Sequence, residues 1–225
     1  MTINYAVLKA ELAKRFNTMA HLVTEDLIRQ WFIETQNLSI GDTVIEKPYR
    51  LLKLKANFQS RLNSRARADF HYNGQSKQTG EKEDVVIEFK YHKKSPYSDT
   101  AKTTNMGEAF RDLNRLSTLA NKEKYFIYVF DQEMKDYYDK HVFDILKVDA
   151  NKGKTLKSSD IETLIKGKKT EDFKNTALSS FDRNMVKSFD DFNYTVDLHY
   201  SDCITTYKKL DGSDDKMYII IVRVK

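Results

Sequence analysis

Apolar residues recur at helical spacing through the first 38 positions of the chain. Tyr5, Leu8, Leu12 and Phe16 share one stripe, and Thr24 is placed to cap a second helix carrying Leu27, Ile28, Trp31, Phe32 and Leu38. The pattern then changes to a period of two. From Tyr49 to Phe58, Leu52, Leu54, Ala56 and Phe58 alternate with Lys53, Lys55 and Asn57, which favours a strand. Arg67 to Asn73 puts Ala68, Phe70 and Tyr72 on one face and Arg67, Asp69 and His71 on the other. The polar stretch NGQSKQTGEKE reads as a hairpin connection to Asp84–Tyr91, where Val85, Ile87, Phe89 and Tyr91 oppose Asp84, Val86, Glu88 and Lys90. Thr104 or Asn105 is placed to cap a helix whose stripe is Met106, Ala109, Phe110, Leu113, Leu116 and Ala120, with Glu108, Arg111, Asp112 and Arg115 on its polar side. Lys124 to Phe130 is apolar on both faces, as a central strand under helices requires.

Beyond residue 150 the pattern thins. Residues 151 to 176 are rich in lysine and read as a surface connector, with Ile161, Leu164 and Ile165 marking a short peripheral helix. Phe192, Tyr194, Val196, Leu198 and Tyr200 alternate, Met217 to Val224 is an apolar run, and Asp211-Gly212 between them signals a C-terminal hairpin. The class expected is mixed α/β. Residues 1–150 form the main unit and residues 151–225 an extension packed on it.

With 225 residues, 40% hydrophobic and 32% charged, the chain has material for a sizeable core and is not expected to be disordered. One cysteine, Cys203, rules out an internal disulfide and a cysteine-based zinc cluster and fits a reducing, cytoplasmic compartment. No apolar stretch is long enough for a membrane span and no leader is evident at the start, so no membrane partner is expected. Neither phosphate-loop nor dinucleotide-binding glycine motifs occur, and the five histidines show no zinc-site spacing. A net charge of +5 is compatible with a polyanion. Its distribution is more telling: Lys47, Arg50, Lys53, Lys55, Arg61, Arg65 and Arg67 follow one another with no intervening acid, either as phosphate contacts or as a protected strand edge.

That basic block leads into the chemistry. Glu88 and Lys90 emerge on the same strand face, and a hairpin brings Asp69 beside them. Two hard carboxylates are what Mg2+ takes from a protein, and a lysine next to them is suited to hold or polarise a water. Taken singly, each residue also fits a solvated sheet face.

RADF at Arg67 to Phe70 and IEFK at Ile87 to Lys90 resemble the paired motifs of the PD-(D/E)XK nuclease superfamily. Helix, three strands, helix and strand across roughly residues 22 to 130 match the order of that superfamily's restriction-endonuclease-like core. Ala68 departs from the proline that many members place before the aspartate, and the residues after 130 have no counterpart in the core. The resemblance implies a nuclease that cuts DNA with Mg2+, or Mn2+ in its place; RNA is not separated from DNA, and a homodimer is expected if both strands are cut. It further implies Asp69 and Glu88 as metal ligands, the Phe89 carbonyl as a further ligand, and Lys90 as the residue that organises the water. A helix glutamate completes many such sites, here Glu25 or alternatively Glu34. Lys53, Lys55, Arg65, Arg67, His92, Lys93 and Arg111 are the candidate phosphate contacts. The rival expectation is a catalytically inactive relative that binds nucleic acid or protein.

Overall fold

A computed structural model describes residues 3–55, 58, 65–75, 80–93, 102–120, 123–141, 144–148, 154–157, 159–160 and 192–225. Two helices open the chain. Helix α1, Tyr5–Met19, starts where the Asn4 side chain accepts the Val7 N–H at 3.2 Å and buries Leu8, Leu12 and Phe16. Helix α2, Glu25–Gln36, is capped by Thr24 on the Leu27 N–H at 3.3 Å, carries Glu25 and Asp26 in its first turn, and ends at Asn37 in the left-handed conformation.

The strands are β1 (Thr43–Pro48), β2 (Arg67–Gln75), β3 (Lys82–His92), β4 (Glu123–Asp131), β5 (Lys154–Lys157), β6 (Asn193–Lys208) and β7 (Asp214–Val224). They form one sheet in the order β1-β2-β3-β4-β7-β6-β5. Among the described strands only β3 and β4 run parallel, with helix α3 (Lys102–Ser117) between them in the chain; a parallel pair needs such a crossover. Helix α4, Gln132–His141, follows β4 directly, with Asp131 accepting the Met134 N–H at 3.0 Å. The protein is thus a mixed α/β fold with four helices and a seven-stranded sheet among the described residues. None of those helices is long and apolar enough to cross a membrane.

Strand parity splits the core into two layers. Val85, Ile87 and Phe89 meet α1 and α2, while Val86, Phe126, Tyr128 and Phe130 meet α3 and α4. The C-terminal hairpin forms as its pattern indicates, turning at Gly212 with φ 81°. Its strand β7 pairs with β4, so residues 214–224 extend the same sheet.

Four expectations change. The described residues of the stretch Tyr49 to Phe58 do not form a strand: Tyr49–Leu51 is a single 3-10 turn, followed by an isolated bridge from Leu54 to Leu119. Its alternation records Leu52 and Phe58 packing beside the end of α3. The first strand lies earlier, at β1, where Val44 and Ile45 are both exposed on a sheet edge and Glu46 has φ 56°, so no period marks it. Helix α3 begins before Thr104 and Asn105, which lie inside its first turn. Ala68 packs on the α3 side whereas Phe70 and Tyr72 pack on the α1 side, so the face of β2 switches at Asp69. Within the expected connector, Lys154–Lys157 forms the edge strand β5; Ile161, Leu164 and Ile165 lie outside the described residues.

Candidate active site

β2 and β3 part company at Asp69. Their ladder runs from Gln75↔Lys82 to Phe70↔Ile87 and stops, whereas β1 stays on β2 as far as Pro48↔Arg67. The parting leaves N–H groups on β3 without a strand partner, and such donors must find an acceptor. Two carboxylates supply it. Asp69 Oδ2 accepts the Phe89 N–H at 2.7 Å, and Glu25 Oε2 accepts the Tyr91 N–H at 3.0 Å. The split therefore draws an acid from β2 and another from the first turn of α2 to the edge of β3 that carries Glu88 and Lys90. Asp69, Glu88 and Lys90 line one open pocket of 260 Å3, together with Glu46, Arg65 and Arg67 and with Arg111, Asp112 and Arg115 from α3.

Glu88 is 1% exposed, and the buried Tyr49 hydroxyl donates a hydrogen bond to its Oε1. Burial first, then the charges of Asp69 and Asp112, push its carboxyl well above the usual range, against the pull of Arg115 and Tyr49. Asp69 is raised by burial and by Asp112, partly offset by the neighbouring Glu88 carboxyl, the Phe89 N–H and Arg29. Arg29 Nη2 stands 3.7 Å from Asp69 and 3.1 Å from Asp26, and its Nη1 lies 3.2 Å from Glu46. Glu25 is pushed up to about 7 by burial, with Lys90 opposing.

Asp112 has the opposite balance. At 2% exposure burial works to raise it, yet Lys90, Arg115 and Arg111 outweigh burial and hold it below its ordinary value. Its Oδ1 lies 3.2 Å from Arg111 Nε and 3.1 Å from Arg115 Nη1, and its Oδ2 lies 3.4 Å from Lys90 Nζ. Lys90 also faces Glu25 at 3.7 Å and Glu108 at 3.8 Å. Burial works to lower the Lys90 ammonium, but these three acids keep it firmly protonated. Glu108 in turn meets His92 Nε2 at 3.4 Å, whose Nδ1 bonds the buried Tyr128 hydroxyl at 2.6 Å.

Of the residues the sequence singles out, Asp69, Glu88, Lys90, Arg65, Arg67 and Arg111 share the pocket, and Glu25 borders it through Lys90. Glu34 does not: it is exposed farther along α2 and accepts from Gln30 at 2.9 Å. Lys53 and Lys55 lie along the end of α3, where their backbones bond Ala120 and Thr118. Lys93 turns to the α1 side, donating to the Ala20 carbonyl at 3.0 Å and sitting 4.8 Å over the Tyr207 ring. His92 is buried under α3 and is not a surface phosphate contact. Arg61 lies outside the described residues. The chain's pattern does not mark Arg29, Asp112 or Arg115; the signal for the last two is the charge cluster Arg111, Asp112 and Arg115 on one helix turn.

The donor set suits a small hard cation. Two adjacent carboxylates that burial and the nearby Asp112 charge hold toward their protonated forms gain most from a divalent ion in place of the proton. Among the described residues, no three His, Cys, Asp or Glu side chains are gathered into a closed cage. Mg2+ asks for less, one or two carboxylates with waters completing the shell. No family model matches the chain, and neither curated proteins nor solved structures give a significant match.

Proposed function

We propose that the chain is a divalent-metal-dependent nuclease acting on DNA phosphodiester bonds, an endonuclease of the PD-(D/E)XK type. The observation that carries this reading is the convergence of Asp69, Glu88 and Lys90 in one pocket whose other wall is Arg111 and Arg115. The order α2, β1, β2, β3, α3, β4, with β3 and β4 parallel, supports a restriction-endonuclease-like core. A compact nuclease of this kind suits a restriction, defence or mobile-element role by analogy of fold alone.

Asp69 and Glu88 would hold Mg2+, or Mn2+ in its place, and the bound ion would supply a Lewis acid for the phosphate and leaving oxygen. Lys90 is a fixed ammonium. It donates hydrogen bonds to a water or to a phosphate oxygen and stabilises the negative charge that develops there. Arg65, Arg67 and Arg111 line the approach, and arginine forks match phosphate oxygens in pairs. Glu25 fixes the Tyr91 end of β3 and braces Lys90 from the α2 side.

A second reading, a nuclease-like binding module without activity, is favoured by one observation. Lys90 is engaged by three carboxylates, so its charge is already spent within the protein. Incubation with supercoiled plasmid and with labelled single-stranded DNA and RNA, in Mg2+, Mn2+ or EDTA, separates the two. The nuclease reading expects metal-dependent nicking that Glu88→Ala and Lys90→Ala abolish. Activity retained by both variants, or a silent wild type that nonetheless binds DNA, would contradict it.

A further inference from the structure

Lys90 and Glu88 leave the same face of β3 two residues apart, about 7 Å along the strand, and a lysine stem spans that gap with ease. An ammonium and a buried carboxylate so placed are expected to pair. They do not. The ion pairs of Lys90 go to Glu25, Glu108 and Asp112, and neither Glu88 nor Asp69 is among its partners. Of the three acids that hold it, Asp112 is the nearest, at 3.4 Å, and its side chain is 3% exposed against 31% and 32% for Glu25 and Glu108. Its charge is therefore the least screened of the three.

Asp112 is itself immobilised. Arg111 and Arg115 fix its Oδ1 from the same helix, leaving Oδ2 turned to Lys90. The position of the lysine is thus set from α3, the opposite wall of the pocket from the Asp69 and Glu88 carboxylates.

We infer that Asp112 is a positioning residue that tethers the Lys90 ammonium to α3, clear of Asp69 and Glu88, and so keeps that carboxylate pair open to a divalent cation. The inference rests on the metal-dependent reading above and deepens it. Without the tether, Lys90 swings onto Glu88 and competes for the seat as an internal cation. With it, lysine and metal ion occupy neighbouring positions at once, the arrangement that a water-activating lysine requires. Arg111 and Arg115 serve this role at one remove, by orienting the aspartate.

The test is Mn2+ binding by the full chain, read from the loss of the free-ion electron paramagnetic resonance signal, with no substrate present. Asp112→Asn is expected to weaken binding about tenfold, the lower end of what outer-shell changes cost a metal site. Adding Lys90→Met to Asp112→Asn is expected to restore most of the loss, whereas the charge-matched addition of Arg111→Met is not. Lys90→Met alone keeps the inference open to refutation even where Asp112→Asn does not fold. A tethered lysine is no competitor, so this variant binds Mn2+ within about threefold of wild type, under 1 kcal/mol on the affinity scale. Tighter binding by Lys90→Met, unchanged binding by Asp112→Asn, or equal rescue by both additions would overturn the tether while leaving the nuclease reading in place. A wild type that binds no Mn2+ would overturn both.

Discussion

Glu88 and Asp112 are both carboxylates with almost no exposure, and they line the same pocket from opposite walls. Their surroundings could hardly differ more. Asp112 faces three cations and is held ionised, while Glu88 has a phenol for company, two acids nearby and a carboxyl pushed toward protonation. Burial works to raise both acids, and the partners decide whether it prevails. One wall of the pocket is electrostatically complete. The other has Arg29, which Asp69 shares with Asp26 and Glu46, and that asymmetry is the physical ground for the proposal that a metal ion sits between Asp69 and Glu88 and not beside Asp112.

Removing the better-compensated acid breaks the comparison most severely. Asp112→Ala leaves Lys90, Arg111 and Arg115 without their common partner, and breaking a buried ion network from one side costs about 3–5 kcal/mol. A urea titration is expected to show that loss.

Glu88→Gln is expected to act in the opposite direction. A carboxylate whose folded pKa lies above its unfolded one binds its proton more tightly when folded, so it favours folding at low pH. That contribution is lost as pH climbs through the raised folded value. Wild-type protein in EDTA should therefore lose stability above the ordinary carboxylate range, with Glu25 adding to the loss up to about 7. Glu108 and Asp112, held below their ordinary values, contribute in the opposite sense and lose their share only as pH falls. In EDTA at about pH 8, Glu88→Gln should melt about 2–4 °C higher for each kcal/mol gained. An unchanged pH profile in differential scanning fluorimetry would refute the raised carboxyl.

The smallest effect belongs to a lysine outside the pocket. Lys93→Met loses a carbonyl contact and a ring contact on the α1 side, so nicking rates should stay within about twofold of wild type and stability within roughly 1 kcal/mol.

Much of one wall was legible from the chain alone. Strand parity places Glu88 and Lys90 together, because side chains two apart share a strand face, whereas Glu25 entered only through the family resemblance, with Glu34 as its alternative. Asp69 was found for the right face, but the reason it reaches Phe89 was not visible, since it depends on where β2 leaves β3. The α3 wall stayed hidden for a related reason. Helical periodicity assigns Asp112 and Arg115 to a polar face, and a polar face reads as solvated until the split sheet is seen to lie beneath it. Arg29 carried the reverse ambiguity, a cation among Ile28, Trp31 and Phe32 in a buried stripe. β1 offered no period at all, being an exposed edge bent at Glu46.

The most direct measurement is the melting temperature of wild type and Glu88→Gln at about pH 8, in EDTA and in Mg2+ at roughly a hundred times the dissociation constant, where specific binding adds about 2.7 kcal/mol. Mg2+ is expected to raise the wild-type value by several degrees and to leave Glu88→Gln almost unmoved. A wild type that Mg2+ does not stabilise, or a variant stabilised as much as wild type, would contradict a metal ion at Glu88.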